Sequence, residues 1–208
     1  MFIRSSQILS FLDLRSTNLT DAGLIALCEG LIGNQTLFHI NLSKNDITSS
    51  SVEKFAPILY KTGITELDLS LNPLGNNGVR CLAENLFERI YDERRGSTSH
   101  GLKCKLMKLN LSETKFQEHG GYHLFKNLIE FHSMSTLILD YNQFETKNIQ
   151  MMANYVKHSR LHTFSINYCK LGDAGGVALG EALSQASSIR EVRAMHNEFR
   201  DSTARAFA

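Results

Sequence analysis

Any chemistry this chain performs must come from a small set of side chains. His119 and His123 stand four residues apart, a spacing that can bring two imidazoles to one face of a helix, where they could hold a metal. His100 and Cys104 share that spacing. Zinc takes three or four ligands, and neither pair has a third nearby at a recognisable spacing, so no metal is expected. The four cysteines, Cys28, Cys81, Cys104 and Cys169, form no CxxC pair and are too sparse for a disulfide framework. Gly120-Gly121 and Gly175-Gly176 belong to no phosphate loop, and GxSxG, GKS, GKT, HExxH and DxDxDG segments are absent. No set of nucleophile, base and orienting group emerges from these motifs, so neither an enzyme nor a cofactor is expected.

The elements that would position a site are written as a repeat. Ile64-x-x-Leu67-x-Leu69-x-x-Asn72-x-Leu74-x-x-x-Gly78-x-x-x-Leu82 recurs as Leu37, Ile40, Leu42, Asn45, Ile47 and Phe55, and as Leu106, Leu109, Leu111, Thr114, Phe116, Gly120 and Leu124. Seven copies begin near 9, 37, 64, 106, 134, 161 and 189, with spacings of 28, 27, 42, 28, 27 and 28. Within each copy the apolar residues first alternate, as a strand requires, and then take helical spacing. Thr20-Asp21 and Gly172-Asp173 stand at two of these switches as helix caps. These residues resemble the leucine-rich-repeat consensus, and the period is similar to the ribonuclease-inhibitor-like subclass. The resemblance implies an α/β solenoid, a horseshoe of seven repeats forming one domain over 1–208. Parallel strands line its concave face and helices its convex face.

The slot held by Asn45, Asn72, Asn142 and Asn197 follows each strand, where an amide can donate and accept at once. Thr17 and Cys169 occupy the same slot, so Cys169 is expected as a buried, inert rung. The paired glycines fall at helix starts, where packing of helix on strand accounts for the first of each. The 42-residue spacing places an insertion within 83–105. Leu82, Leu86 and Ile90 continue a helical stripe, so the third helix is expected to run on into a loop at 96–101. That insertion is either a tolerated surface loop or a contact arm carrying Arg94, Arg95, Lys103 and Lys105.

Side chains between and after the strand leucines face the concave side. The central file is Asp13, Asn41, Asp68, Asn110, Ile138, Ser165 and Arg193; the next is Arg15, Ser43, Ser70, Ser112, Asp140, Asn167 and Met195. Both are mainly small and polar. The file at the rim is Ser16, Lys44, Leu71, Glu113, Tyr141, Tyr168 and His196, where Tyr141, Tyr168 and His196 should stack with Met195 beside them. They either cover the asparagine slot or anchor a partner. The binding reading assigns that role to Tyr141, Tyr168, Met195, His196, Asp140, Asn167 and Arg193.

Composition limits the partners. Twenty-two Lys and Arg against 21 Asp and Glu leave a net charge of +1 in 208 residues, unlike a nucleic-acid binder. No apolar run approaches the roughly 18 residues of a membrane helix. The start has no secretion signal, so a cytoplasmic setting is expected and membrane insertion is not. Few residues precede the first copy and the last stops within its helix, which suggests either part of a longer repeat protein or ends covered by a partner. The expected function is a non-enzymatic protein-interaction scaffold, a structural subunit of a multi-subunit, cytoskeletal or ciliary assembly. The alternatives implied by resemblance are a regulator of a small GTPase, as the Ran GTPase-activating proteins are, or the sensing domain of a larger receptor. No segment carries over the catalytic part of the first.

Overall fold

The computed structural model describes residues 2–92 and 97–208, and the side chains of all these except 87–92, 97–103 and 146. Seven short strands form one parallel sheet: β1 (Phe11–Asp13), β2 (His39–Asn41), β3 (Glu66–Asp68), β6 (Lys108–Asn110), β7 (Thr136–Ile138), β8 (Thr163–Ser165) and β9 (Glu191–Arg193). Their register aligns the middle apolar residues Leu12, Ile40, Leu67, Leu109, Leu137, Phe164 and Val192 in one file. That file and the second one, from Leu42 through Ile166, point away from the concave surface into the core. Against them pack α2 (Asp21–Leu31), α3 (Ser49–Phe55), α4 (Gly75–Glu84), α5 (Glu118–Leu128), α6 (Thr146–His158), α7 (Gly172–Leu183) and α8 (Asp201–Phe207); α1 (Phe2–Ser5) precedes the first repeat. The fold is therefore an α/β leucine-rich-repeat solenoid.

Each asparagine in the slot ties its repeat to the one before. Asn45 Oδ1 accepts from Thr17 N (3.0 Å) and Leu19 N (2.9 Å), while its Nδ2 donates back to Leu14 O (2.9 Å). Asn72, Asn142 and Asn197 repeat the pattern on Leu42 O, Leu111 O and Ile166 O. Cys169 is fully buried in its rung, its thiol pushed up to about 12 by burial. Thr114, just after the insertion, turns its hydroxyl to its own Leu111 O instead (2.8 Å).

Helix capping differs from the sequence expectation, because it runs between repeats. Thr20 makes no side-chain cap. Asp21 instead accepts from Thr48 N (2.8 Å) and from the Ser51 hydroxyl, at the start of the next helix. Asn76 Oδ1 accepts from Gln117 N (2.8 Å) and Gly120 N (3.1 Å), and Asp173 from Arg200 N and Thr203 N (both 3.0 Å). The first turn of one helix thus holds the orphan N–H groups of the following one. The paired glycines serve this helix-to-helix approach: a Cβ on Gly120 would meet Asn76 Cα at 3.1 Å, and one on Gly176 would run into Thr203.

The insertion also departs from expectation. The helix of the third repeat, α4, stops at Glu84, where Asn85 Nδ2 folds back to Cys81 O at 2.7 Å. Leu86 is buried, but the chain then continues as β4 (Phe87–Asp92), antiparallel to β5 (Ser97–Lys103). Cys104 N returns to Leu86 O at 3.0 Å, closing the excursion at its base. Aromatic and β-branched residues such as Phe87, Ile90, Tyr91 and Thr98 favour strand over helix here. Arg94 and Arg95 lie outside the described residues.

Candidate partner-binding site

The rim file is built by one backbone device used seven times. Ser16, Lys44, Leu71, Glu113, Tyr141, Tyr168 and His196 all adopt left-handed φ between 52° and 58°. Their amides are held first: Tyr141 N donates to Asn167 O and Tyr168 N to Met195 O, both at 2.9 Å, and Glu113 N to Asp140 O at 2.8 Å. The chain then reverses hand to bring the next residue into the buried slot, which throws the rim side chain outward. A non-glycine residue costs roughly 1–2 kcal/mol in this conformation. Bulky rings stand at Tyr141 and Tyr168, where glycine would fold more easily.

Tyr141 and Tyr168 stack with ring centroids 4.4 Å apart and planes at 9°. His196 continues the column over Tyr168 at 4.2 Å and 14°. Tyr141 is 53% exposed, Tyr168 40% and Met195 60%, so these side chains project from the packing instead of filling it. The Tyr141 hydroxyl is shifted upward by partial desolvation, by Tyr168 beside it and by the nearby carboxylates of Asp140 and Glu113.

Asp140 and Asn167 hold this ridge in place. Asp140 accepts from Ser165 Oγ (2.8 Å), Asn167 N (2.8 Å) and Asn167 Nδ2 (3.0 Å). Asn167 Oδ1 in turn accepts from Met195 N at 2.7 Å, so one polar chain crosses three repeats. Asn167 is buried, which makes it a positioning residue and corrects its expected place among the contact side chains. The first four repeats build the equivalent turn internally, with Asp13, Asn41, Asp68 and Asn110 each accepting from the amide two residues on. Ile138 cannot do this, and Asp140 does it for the following repeat. Arg193 is exposed but folds onto Glu191 of its own strand, 2.7 Å away.

The other candidates are not brought to the ridge. Lys105 is exposed and donates to Gln35 Oε1 at 2.8 Å, back toward the second repeat. Lys103 lies in β5. His119 and His123 are neighbours, rings 4.8 Å apart, but His123 Nδ1 faces Glu84 at 3.1 Å, and burial lowers its basicity. Among the described residues no three metal-ligating side chains converge. On the concave floor Glu66 joins His39 (3.1 Å) and Lys108 (2.7 Å), leaving its carboxylate fully engaged. Sequence reasoning passed over Phe11 and Phe38, about half exposed at the N-terminal end of the concave side. Their signal was an aromatic at a variable position, within β1 for Phe11 and just before β2 for Phe38. No helix among the described residues is long and apolar enough to cross a membrane.

Comparison with known proteins agrees with this architecture. The leucine rich repeat family model matches residues 5–28, 33–56, 62–83 and 158–180. The chain is 27% identical over 210 residues to NACHT, LRR and PYD domains-containing protein 14 of Mus musculus, covering 96% of this chain and 19% of that protein. It is 26% identical over 199 residues to the ribonuclease inhibitor of Sus scrofa, covering 94% and 41%, and 28% identical over 207 residues to that of Mus musculus, covering 98% and 42%. The chain therefore spans about a fifth of the first relative's length and about two fifths of the inhibitors'.

Proposed function

Because the chain belongs to the leucine-rich repeats, of the ribonuclease-inhibitor-like subclass, we propose that it is a non-enzymatic scaffold that binds another protein on the C-terminal part of its concave rim. The observation that carries this reading is the exposed Tyr141–Tyr168–His196 column with Met195 beside it. Aromatic side chains present large contact area with few rotatable bonds, so little entropy is lost when a partner immobilises them. The column is also held rigid before binding, by the Asp140–Asn167–Met195 chain behind it, which lowers the cost of ordering the site.

The ribonuclease inhibitors, by their name, inhibit an enzyme, and this reading gives the present chain a role toward a protein partner of its own. A second reading is favoured by the NACHT relatives: the repeats are the binding part of a longer regulatory protein. With either reading we propose a cytoplasmic setting and a multi-subunit complex. A cytoskeletal or ciliary setting has no support among these relatives.

The test is quantitative co-purification from the native cell with the wild-type protein and the Tyr141→Ala/Tyr168→Ala variant. The ridge reading expects a stoichiometric partner lost selectively from the variant. Equal recovery of every partner by both proteins contradicts it.

A further inference from the structure

We propose that the position above Glu113, at the open end of the aromatic column, binds an arginine side chain of the partner. This rests on the ridge being the partner site. Leu71, Glu113, Tyr141, Tyr168 and His196 follow one another along the rim, one strand apart, a step of about 4.8 Å. Three of the five positions carry rings, and these stack at 4.4 and 4.2 Å. Tyr168 has both faces covered. Tyr141 has one face on Tyr168 and the other turned toward Glu113, where the column lacks a ring. One strand step beyond Tyr141 the rim carries Glu113 instead of a ring, so the aromatic stacking ends at Tyr141.

The surroundings select what continues the column. Glu113 is exposed and makes no ion pair among the described residues. Its carboxylate and that of Asp140 both act on the Tyr141 hydroxyl, so two negative charges lie near the exposed ring. Asp140 is already engaged with Ser165 and Asn167, whereas Glu113 is available. A ring face attracts cations. A guanidinium is planar, stacks on rings and offers paired N–H donors to a carboxylate; an ammonium has no plane to stack. Leu71, 44% exposed, lies two steps from Tyr141, about 10 Å away, and gives the methylene stem an apolar surface. Lys44, two steps away along the rim, and Lys115, two residues on in the same turn, make no ion pair with Glu113 among the described residues.

The experiment selects random displayed peptides on the folded wild-type protein and measures the enriched sequences as synthetic peptides. Thermal unfolding first establishes that each variant folds. The proposal expects enrichment of arginine, and weakening of about fivefold both when that arginine becomes citrulline and when the protein carries Glu113→Gln. Applied together, the two changes should weaken binding little more than either alone. Peptides that lose binding to Tyr168→Ala yet tolerate Glu113→Gln, or that enrich lysine or aromatic residues instead, overturn the arginine assignment and leave the ridge standing. If no enriched peptide depends on Tyr141 or Tyr168, the ridge reading itself falls, and the inference with it.

Discussion

Asn72→Ala removes one rung from the stack of slot residues, and its cost can be counted. Asn72 is 1% exposed; its Oδ1 accepts from Ile47 N at 3.1 Å, and its Nδ2 donates to Leu42 O at 2.9 Å and to Leu69 O and Ser70 O at 3.1 Å. Two of the acceptors keep another donor: Leu42 O retains Asn45 Nδ2, and Ser70 O retains Lys44 N, both at 2.9 Å. Ile47 N and Leu69 O are left without their bonds. At about 1–3 kcal/mol for each buried group left unsatisfied, the loss is about 2–6 kcal/mol. For a chain of this length that lowers Tm by about 10 °C. Urea unfolding followed by circular dichroism measures it, as a drop in the midpoint at unchanged slope. Asn72→Asp sharpens the test: it keeps the acceptor but sets a buried carboxylate against three carbonyl oxygens. It should be worse than alanine at neutral pH and recover partly in acid, as the carboxyl becomes a donor. A loss below about 0.5 kcal/mol for Asn72→Ala, the range of ordinary surface substitutions, refutes the rung argument.

Other consequences follow from single contacts. Glu145 faces Glu118 across two helix starts, and a hydrogen bond to Glu118, then its charge, raises the Glu145 carboxyl above the usual range. A raised folded-state value stabilises below the unfolded carboxylate range and is lost as pH rises through it. Glu145→Gln should therefore raise Tm at pH 7 and change it little near pH 3; the reverse pattern in scanning calorimetry contradicts the pairing. Asp173 is held low by hydrogen bonds from Ser202 and Thr203, so its contribution is present at neutral pH and lost on acidification. Asp173→Ala should speed amide exchange in α8 at pH 7 and leave α2 unchanged. A Cβ on Gly63 would meet the Gln35 backbone oxygen at 2.6 Å, so Gly63→Ala should cost about 1–3 kcal/mol in chemical denaturation. Burial pushes the Cys28 thiol up to about 11 and that of Cys169 up to about 12. Both should label with iodoacetamide at pH 8 only at the rate of unfolding, and rapid native-state labelling contradicts their burial.

Legibility differed by the physics involved. The apolar files and the asparagine slot recur at fixed offsets because each repeat must bury the same face, so Leu67, Leu69 and Asn72 announce the solenoid by period alone. The same period predicts that Tyr141, Tyr168 and His196 lie side by side. Their stacking and exposure depend on a left-handed turn that sequence did not signal, since none of the seven positions is glycine. The cross-repeat caps escaped because Asp21, Asn76 and Asp173 look like ordinary helix-start residues. Their shared offset, four residues after the slot, was the available clue. Asn167 looked like a surface amide for a related reason: its burial follows from Asp140 reaching forward past Ile138, where the Asp/Asn of the first four copies ends. The strand Phe87–Asp92 was expected as an extension of the preceding helix because Leu82, Leu86 and Ile90 satisfy a helical stripe that Asn85 interrupts.

Oxidative footprinting of the protein with and without its co-purified partner tests the ridge most directly, since Met, Tyr and His side chains report their own exposure. Tyr122, 40% exposed on the convex side, is an internal control matched to Tyr168. The ridge account predicts that partner binding protects Met195, Tyr141 and Tyr168 and leaves Tyr122 as reactive as before. Protection of Tyr122 with Met195 and Tyr168 unchanged would place the partner on the helices and contradict it.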